Sequence, residues 1–106
     1  MPVLFEDPDF RVSQGWFTSW RVLDKSTGAT IIPTARIQEQ IGFAWKLVRQ
    51  RPLPPQMRRA CEDDLFRRFA IASVDPNGIE AAIFCGFSAD ALALDVIQAR
   101  QSEYPD

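Results

Sequence analysis

The chain contains no histidine. That removes the commonest general base at neutral pH and every triad, dyad or metal site that depends on imidazole. Cysteine is scarce as well. Cys61 and Cys85 stand 24 positions apart with no second cysteine near either, which excludes zinc and redox motifs of the usual spacing and reads as two buried free thiols in a reducing compartment. The five glycines, at positions 15, 28, 42, 78 and 86, are scattered singly, so no phosphate-cradling loop is present. No uninterrupted apolar run reaches the length of a membrane span. The first residues, Met-Pro-Val-Leu-Phe-Glu-Asp, place no basic residue before a hydrophobic stretch and offer no cleavage site. A cytoplasmic protein without membrane contact is therefore expected, and nothing in the sequence calls for a cofactor.

Carboxylates are the remaining candidates for catalysis, and they occur in two clusters, Glu6-Asp7-Pro8-Asp9 and Glu62-Asp63-Asp64. Two-carboxylate hydrolases and magnesium sites need such groups to converge from separate elements. Adjacent residues on one helix diverge instead, so the second cluster reads as a solvated face and the first as an acidic terminal turn ahead of the fold. No catalytic or metal-binding set is expected, and the chain is not read as an enzyme.

What is present fits a small folded domain. At 106 residues the chain can bury one core, and a hydrophobic fraction of 46% with 25% charged residues is ordinary for a soluble globular protein. The net charge of −2 disfavours indiscriminate binding to polyanions, so any such partner must meet one face.

Residues 10–32 carry β signals. Trp16, Thr18, Trp20 and Val22 alternate with Phe17, Ser19, Arg21 and Leu23, and Asp24-Lys25-Ser26-Thr27-Gly28 forms a turn before a short return strand at Ala29 to Ile32. Pro33-Thr34 then offers a helix cap, and Ile37, Ile41, Ala44, Trp45 and Val48 recur at helical spacing, which predicts a central helix over 34–50. Arg51-Pro52-Leu53-Pro54-Pro55 breaks it. A second helix is predicted from Pro55 or Gln56, with Met57, Cys61, Leu65 and Phe69 as its buried stripe. From Phe69 the pattern changes to two apolar runs around Asp75-Pro76-Asn77-Gly78, which predicts a second hairpin spanning Phe69 to Cys85. Ser88 then caps a last helix carrying Leu92, Val96 and Ala99. The two hairpin segments share a loose shape of aspartate, turn, glycine and apolar strand, which short hairpins acquire by physics alone.

Seven of the twelve basic residues fall between positions 46 and 68: Lys46, Arg49, Arg51, Arg58, Arg59, Arg67 and Arg68. On a helix, Arg58 would face Glu62, Arg59 and Arg67 would face Asp63, and Arg68 would face Asp64. Each exposed pair is worth only about 0.2–0.5 kcal/mol, but together they cancel much of the charge. The candidate anion- or partner-binding residues reduce to Lys46, Arg49, Arg51 and Arg58, and the cations that end the first helix also complement its dipole. Trp16 and Trp20, sharing one strand face, are the candidate aromatic contacts for stacked bases, although core packing explains tryptophans in so small a domain more cheaply and is the favoured reading. Arg51-Pro52-Leu53-Pro54-Pro55 resembles the arginine-first proline ligands of SH3 domains, a likeness of five residues that implies nothing about the fold of the rest.

These readings converge on a single α+β domain spanning residues 1–106, loosely ordered over 1–9 and 102–106. An antiparallel sheet of about four strands, built from two hairpins, packs on two or three helices in the order ββ-α-α-ββ-α. The expected role is a small non-catalytic binding or regulatory module acting through protein contacts, including self-association. The alternative is a nucleic-acid-binding domain using the face around Lys46, Arg49 and Arg51 or the Trp16/Trp20 strand.

Overall fold

The computed structural model describes residues 1–16 and 19–104. Its N-terminal part is an antiparallel meander, β1 (Val3–Glu6), β2 (Phe10–Gln14), β3 (Trp20–Asp24) and β4 (Ala29–Ile31), in spatial order β1-β2-β3-β4. Four helices follow: α1 (Ala35–Gln50), α2 (Pro55–Val74), α3 (Ile79–Gly86) and α4 (Ala89–Gln101). The α+β class and the single four-stranded antiparallel sheet agree with the sequence reading. Among the described residues no helix is long and apolar enough to cross a membrane.

The strand order differs from expectation in one half of the chain. Phe69–Val74, expected as a strand, is the last part of α2, and Ile79–Cys85 is helical in α3. Two continuous apolar runs carry no period that separates a strand from a buried helix, and alanines at 70, 72, 81 and 82 favour the helix. The Met57, Cys61, Leu65 and Phe69 stripe continues to Ala72 and Ser73, all buried. Asp75-Pro76-Asn77-Gly78 therefore joins two helices. The Asp75 N–H closes α2 on the Ile71 carbonyl, and Gly78 occupies the cap position of α3.

The two remaining strands come from the amino terminus. Val3–Glu6, expected to lie outside the fold, pairs with β2, and Phe5 is buried on the inner face of the sheet. The acidic segment after it is a turn as read, but an internal one: Asp7 Oδ1 accepts from the N–H groups of Asp9 (2.8 Å) and Phe10 (2.7 Å). The expected strand from Trp16 onward is shorter than read. Gly15 N–H donates to the Ser19 carbonyl at 2.8 Å, so the chain reverses between β2 and β3 and Trp16 sits in the reversal; Phe17 and Thr18 lie outside the described residues. The β3–β4 hairpin is the one anticipated, with Gly28 at φ +75° where a side chain would be strained.

Caps and helix starts follow the sequence. Thr34 accepts from Ile37 N–H and Ser88 from Ala91 N–H, while Pro55 opens α2, where its missing donor costs nothing. α2 lies between the sheet and the other helices, and Phe66 and Phe69 reach from it to Trp20, which also meets Trp45 of α1 edge-on at 5.6 Å.

Charge ties the sheet's first turn to its neighbours. Glu6 lies 2.9 Å from Arg11 and 2.6 Å from Lys25, and Asp7 pairs with Arg67 of α2 at 3.1 Å. The hydrogen bonds from Arg11 and Lys25 lower the Glu6 carboxyl to about 2. For Asp7, partial burial raises the pKa, but two backbone donors and Arg67 outweigh it and leave it lowered. Lowered carboxyls bind fewer protons in the folded than in the unfolded chain. Their contribution is thus complete above the ordinary value of 4.5 and is lost as pH falls toward about 2. Denaturant unfolding across that window should show declining stability, with a flatter profile for Glu6→Gln/Asp7→Asn. An unchanged profile would remove these two groups as the cause.

Candidate functional site

Among the described residues no cluster of cysteine, aspartate and glutamate is placed to hold a metal ion. Cys61 is buried and Cys85 half-buried, both free, and burial pushes the Cys61 thiol up, away from the reactive thiolate. The surface is more informative.

Of the four same-helix ion pairs anticipated on α2, two form: Arg59 with Asp63 at 3.7 Å and Arg68 with Asp64 at 3.4 Å. The others lose their members to distant partners. Glu62 accepts from the Trp45 indole at 2.5 Å, Arg67 is held by Asp7, and Arg68 also reaches Asp95 at 2.6 Å. Lys46, Arg49, Arg51 and Arg58, together with Arg21, are the cations without an ion-pair partner among the described residues.

These cations do not share one surface role. Arg49 stacks its guanidinium 3.9 Å above the Trp45 ring, and Arg51 borders a shallow depression between α1 and α4. Arg58 donates to the Arg51 carbonyl at 2.8 Å, which closes the proline break between α1 and α2; its Nε is buried without a hydrogen-bond partner among the described residues. Lys46 alone of the four lines a concavity beside α1. The two tryptophans separate too. Trp16 is 87% exposed, whereas Trp20 is fully buried, so they present no common stacking face.

The concavity is a groove of about 690 Å³ between α1 and the β3–β4 side of the sheet. Ala35, Gly42 and Phe43 of α1 line it along with Ile32, and Arg21 and Lys46 stand at its edges. Glu39 also borders it, beside Arg36 at 3.9 Å. Ile32 is 66% and Phe43 56% exposed, an arrangement that leaves large apolar side chains in water around a recess.

Gly42 is unusual within this groove. It is the eighth residue of a 16-residue helix, and a Cβ built there would meet, among the described residues, no atom within 4 Å beyond its own helical surroundings. Mid-helix glycine costs about 0.5–1 kcal/mol relative to alanine. Nothing inside the fold requires the missing side chain. Sequence reasoning passed over Gly42, because its isolation becomes informative only when its surroundings are known.

A second apolar surface lies on α3. The helix sequence Ile-Glu-Ala-Ala-Ile-Phe-Cys-Gly buries only Ala81 and Phe84, leaving Ile79 at 77% and Ile83 at 47% exposure in one stripe that runs on to Phe87. Asp75 and Glu80, exposed and without an ion-pair partner among the described residues, flank it. The helix is held from behind. Arg36 donates to the Cys85 carbonyl, and Gln40 donates to the carbonyls of Phe84 and Phe87.

Comparison with protein-family models, with curated proteins and with solved structures finds no match to this chain.

Proposed function

We propose that the chain is a non-catalytic binding module acting through protein contacts, and that the groove between α1 and the β3–β4 side of the sheet is its docking surface. The observation that carries this reading is Gly42. A helix interior that gives up alanine's propensity without gaining any internal packing has its reason outside the chain, in a partner whose backbone approaches α1 at that position. Ile32 and Phe43 supply apolar contact beside it, and Lys46, with Arg21 held by the Ser19 hydroxyl and the Trp20 carbonyl, outweighs Glu39 and favours an occupant with acidic flanks. The alternative, a nucleic-acid surface, draws on the exposed Trp16 and the unpaired cations, but Arg49 and Arg58 are engaged within the chain.

Two Gly42 variants separate stability from docking. Gly42→Ala should raise unfolding free energy by about 0.5–1 kcal/mol in denaturant titrations, since the added methyl enters open space on a helix. Gly42→Arg, with a similar gain in helix propensity, should melt no lower than the wild type while filling the groove. A photo-crosslinking amino acid at position 43, incorporated in cells, then reads the function. The expected product is a polypeptide joined through an apolar, acid-flanked segment, and it should disappear in the Gly42→Arg background. Crosslinking no greater than from a control position on the open sheet face, such as Thr30, would overturn the reading. Transfer to nucleic acid would favour the alternative.

A further inference from the structure

We infer that the occupant of the groove is the α3 face of a second copy of this chain, an inference that rests on the groove being a docking surface. The molecule carries two apolar surfaces of opposite form and charge. One is concave, lined by Gly42 and by Arg21, Lys46 and Glu39, cations in excess; the other is the exposed Ile79–Ile83 stripe, continued past the helix end by Phe87, with Asp75 and Glu80 beside it. A short helix presenting Ile79 and Ile83 at i and i+4, with Phe87 just past its end, to an apolar groove uses a recurrent mode of recognition. A glycine lining the groove lets the two backbones come close, and Lys46 and Arg21, which outnumber Glu39 there, match the acidic Asp75 and Glu80 and set the register.

A chain cannot satisfy its own groove. Hydrogen bonds from Arg36 and Gln40 fix α3 against one flank of α1, and Gly42 lies two residues beyond Gln40, about 160° around the helix axis. The contact is therefore intermolecular. Because the two surfaces differ, it is also head-to-tail, each copy offering a donor helix and an acceptor groove, and it either closes or propagates according to the rotation between copies.

Charge reversal tests the pairing directly. Sedimentation of the wild-type chain should show concentration-dependent association. Lys46→Glu and Glu80→Lys should each weaken it on the order of tenfold or more. Mixing the two variants should restore a complex, since the intact α3 of Lys46→Glu can enter the intact groove of Glu80→Lys; the double variant in one chain should also recover association. Ile79→Ser supplies a second disruption at a mostly exposed site, which separates loss of docking from loss of folding. A wild-type chain that remains monomeric at all concentrations would overturn the inference, as would variants that fail to complement. If crosslinking from position 43 to another polypeptide persists in that case, the groove reading stands and only the occupant is wrong. If Gly42→Arg leaves both association and crosslinking intact, the groove itself is not the docking surface.

Discussion

Replacing Trp20 by alanine should cost about 3–5 kcal/mol, enough to consume most of the stability of a domain this size. The indole is fully buried and touches aromatic rings from two helices: Trp45 at 5.6 Å, Phe66 at 5.9 Å and Phe69 at 5.6 Å between centroids. It is the point where β3, α1 and α2 meet, so truncation opens a cavity shared by the sheet and both helices rather than one that a single neighbour can fill. Its backbone N–H is also held by Gln38 Oε1 at 3.1 Å, which limits how far β3 can move to close the gap. Trp20→Phe should be far milder. The indole N–H is buried without a hydrogen-bond partner among the described residues, so the phenyl ring gives up volume but also relieves an unsatisfied donor. Chemical denaturation followed by far-UV circular dichroism reads both values. Similar losses for Phe and Ala would show that ring volume is not what Trp20 contributes, and a loss under about 1 kcal/mol for Ala would mean that Trp20 is not the keystone.

Trp20 also marks where sequence reasoning reaches and where it stops. Features set by a few neighbouring residues were legible: the Thr34 and Ser88 caps, the proline start of α2, the Asp24–Gly28 turn and the 3.6-residue stripe of α1. The pairing of Trp16 with Trp20 was not. A strict alternation continues through a chain reversal without any mark in the pattern, and the reversal at Gly15–Ser19 leaves one indole in solvent and the other in the core. The segment after Phe69 carries a strand signal that misleads, because a proline-asparagine-glycine sequence between apolar runs suits a hairpin and a helix–helix corner equally. Burial of Phe69, Ala72 and Ser73 on the α2 stripe decides between them, and burial is a tertiary fact.

The basic stretch failed in a similar way. Its composition was plain, but which cations remain unpaired depends on Asp7, Glu62 and Asp95 arriving from elsewhere or being taken by a tryptophan. Of the residues singled out as a basic face, Lys46 borders the groove, while Arg58 belongs to the architecture of the proline break. Gly42 and the α3 stripe carried no local signature, since a lone glycine and a run of apolar residues are both ordinary until the empty space beside them is seen.

Gln40→Leu should produce the second large effect, about 1–3 kcal/mol, concentrated on α3. Gln40 is buried within α1, and its amide donates at 3.1 Å to the Phe84 carbonyl and at 2.6 Å to that of Phe87, where α3 ends. The last carbonyls of a helix have no partner within it, and here a glutamine from another element supplies one. Leucine matches glutamine in volume, so the loss would come from the stranded carbonyls and not from a cavity. Phe87 lies near solvent and can recover a hydrogen bond from water, which leaves Phe84 as the costly acceptor. Because α3 buries only two of its eight residues, these bonds and the one from Arg36 to the Cys85 carbonyl form a large share of what holds it. The damage should thus appear first as local opening: amide hydrogen exchange should accelerate across Ile79–Gly86 while the amides of α1 and β3 retain their protection. Head-to-tail association should weaken in parallel, since a donor helix that is no longer fixed must be ordered on docking, while the groove of the same molecule still accepts an intact α3 from a wild-type chain. Uniform acceleration of exchange throughout the chain would show that Gln40 supports the core as a whole and is not the tether of the docking helix.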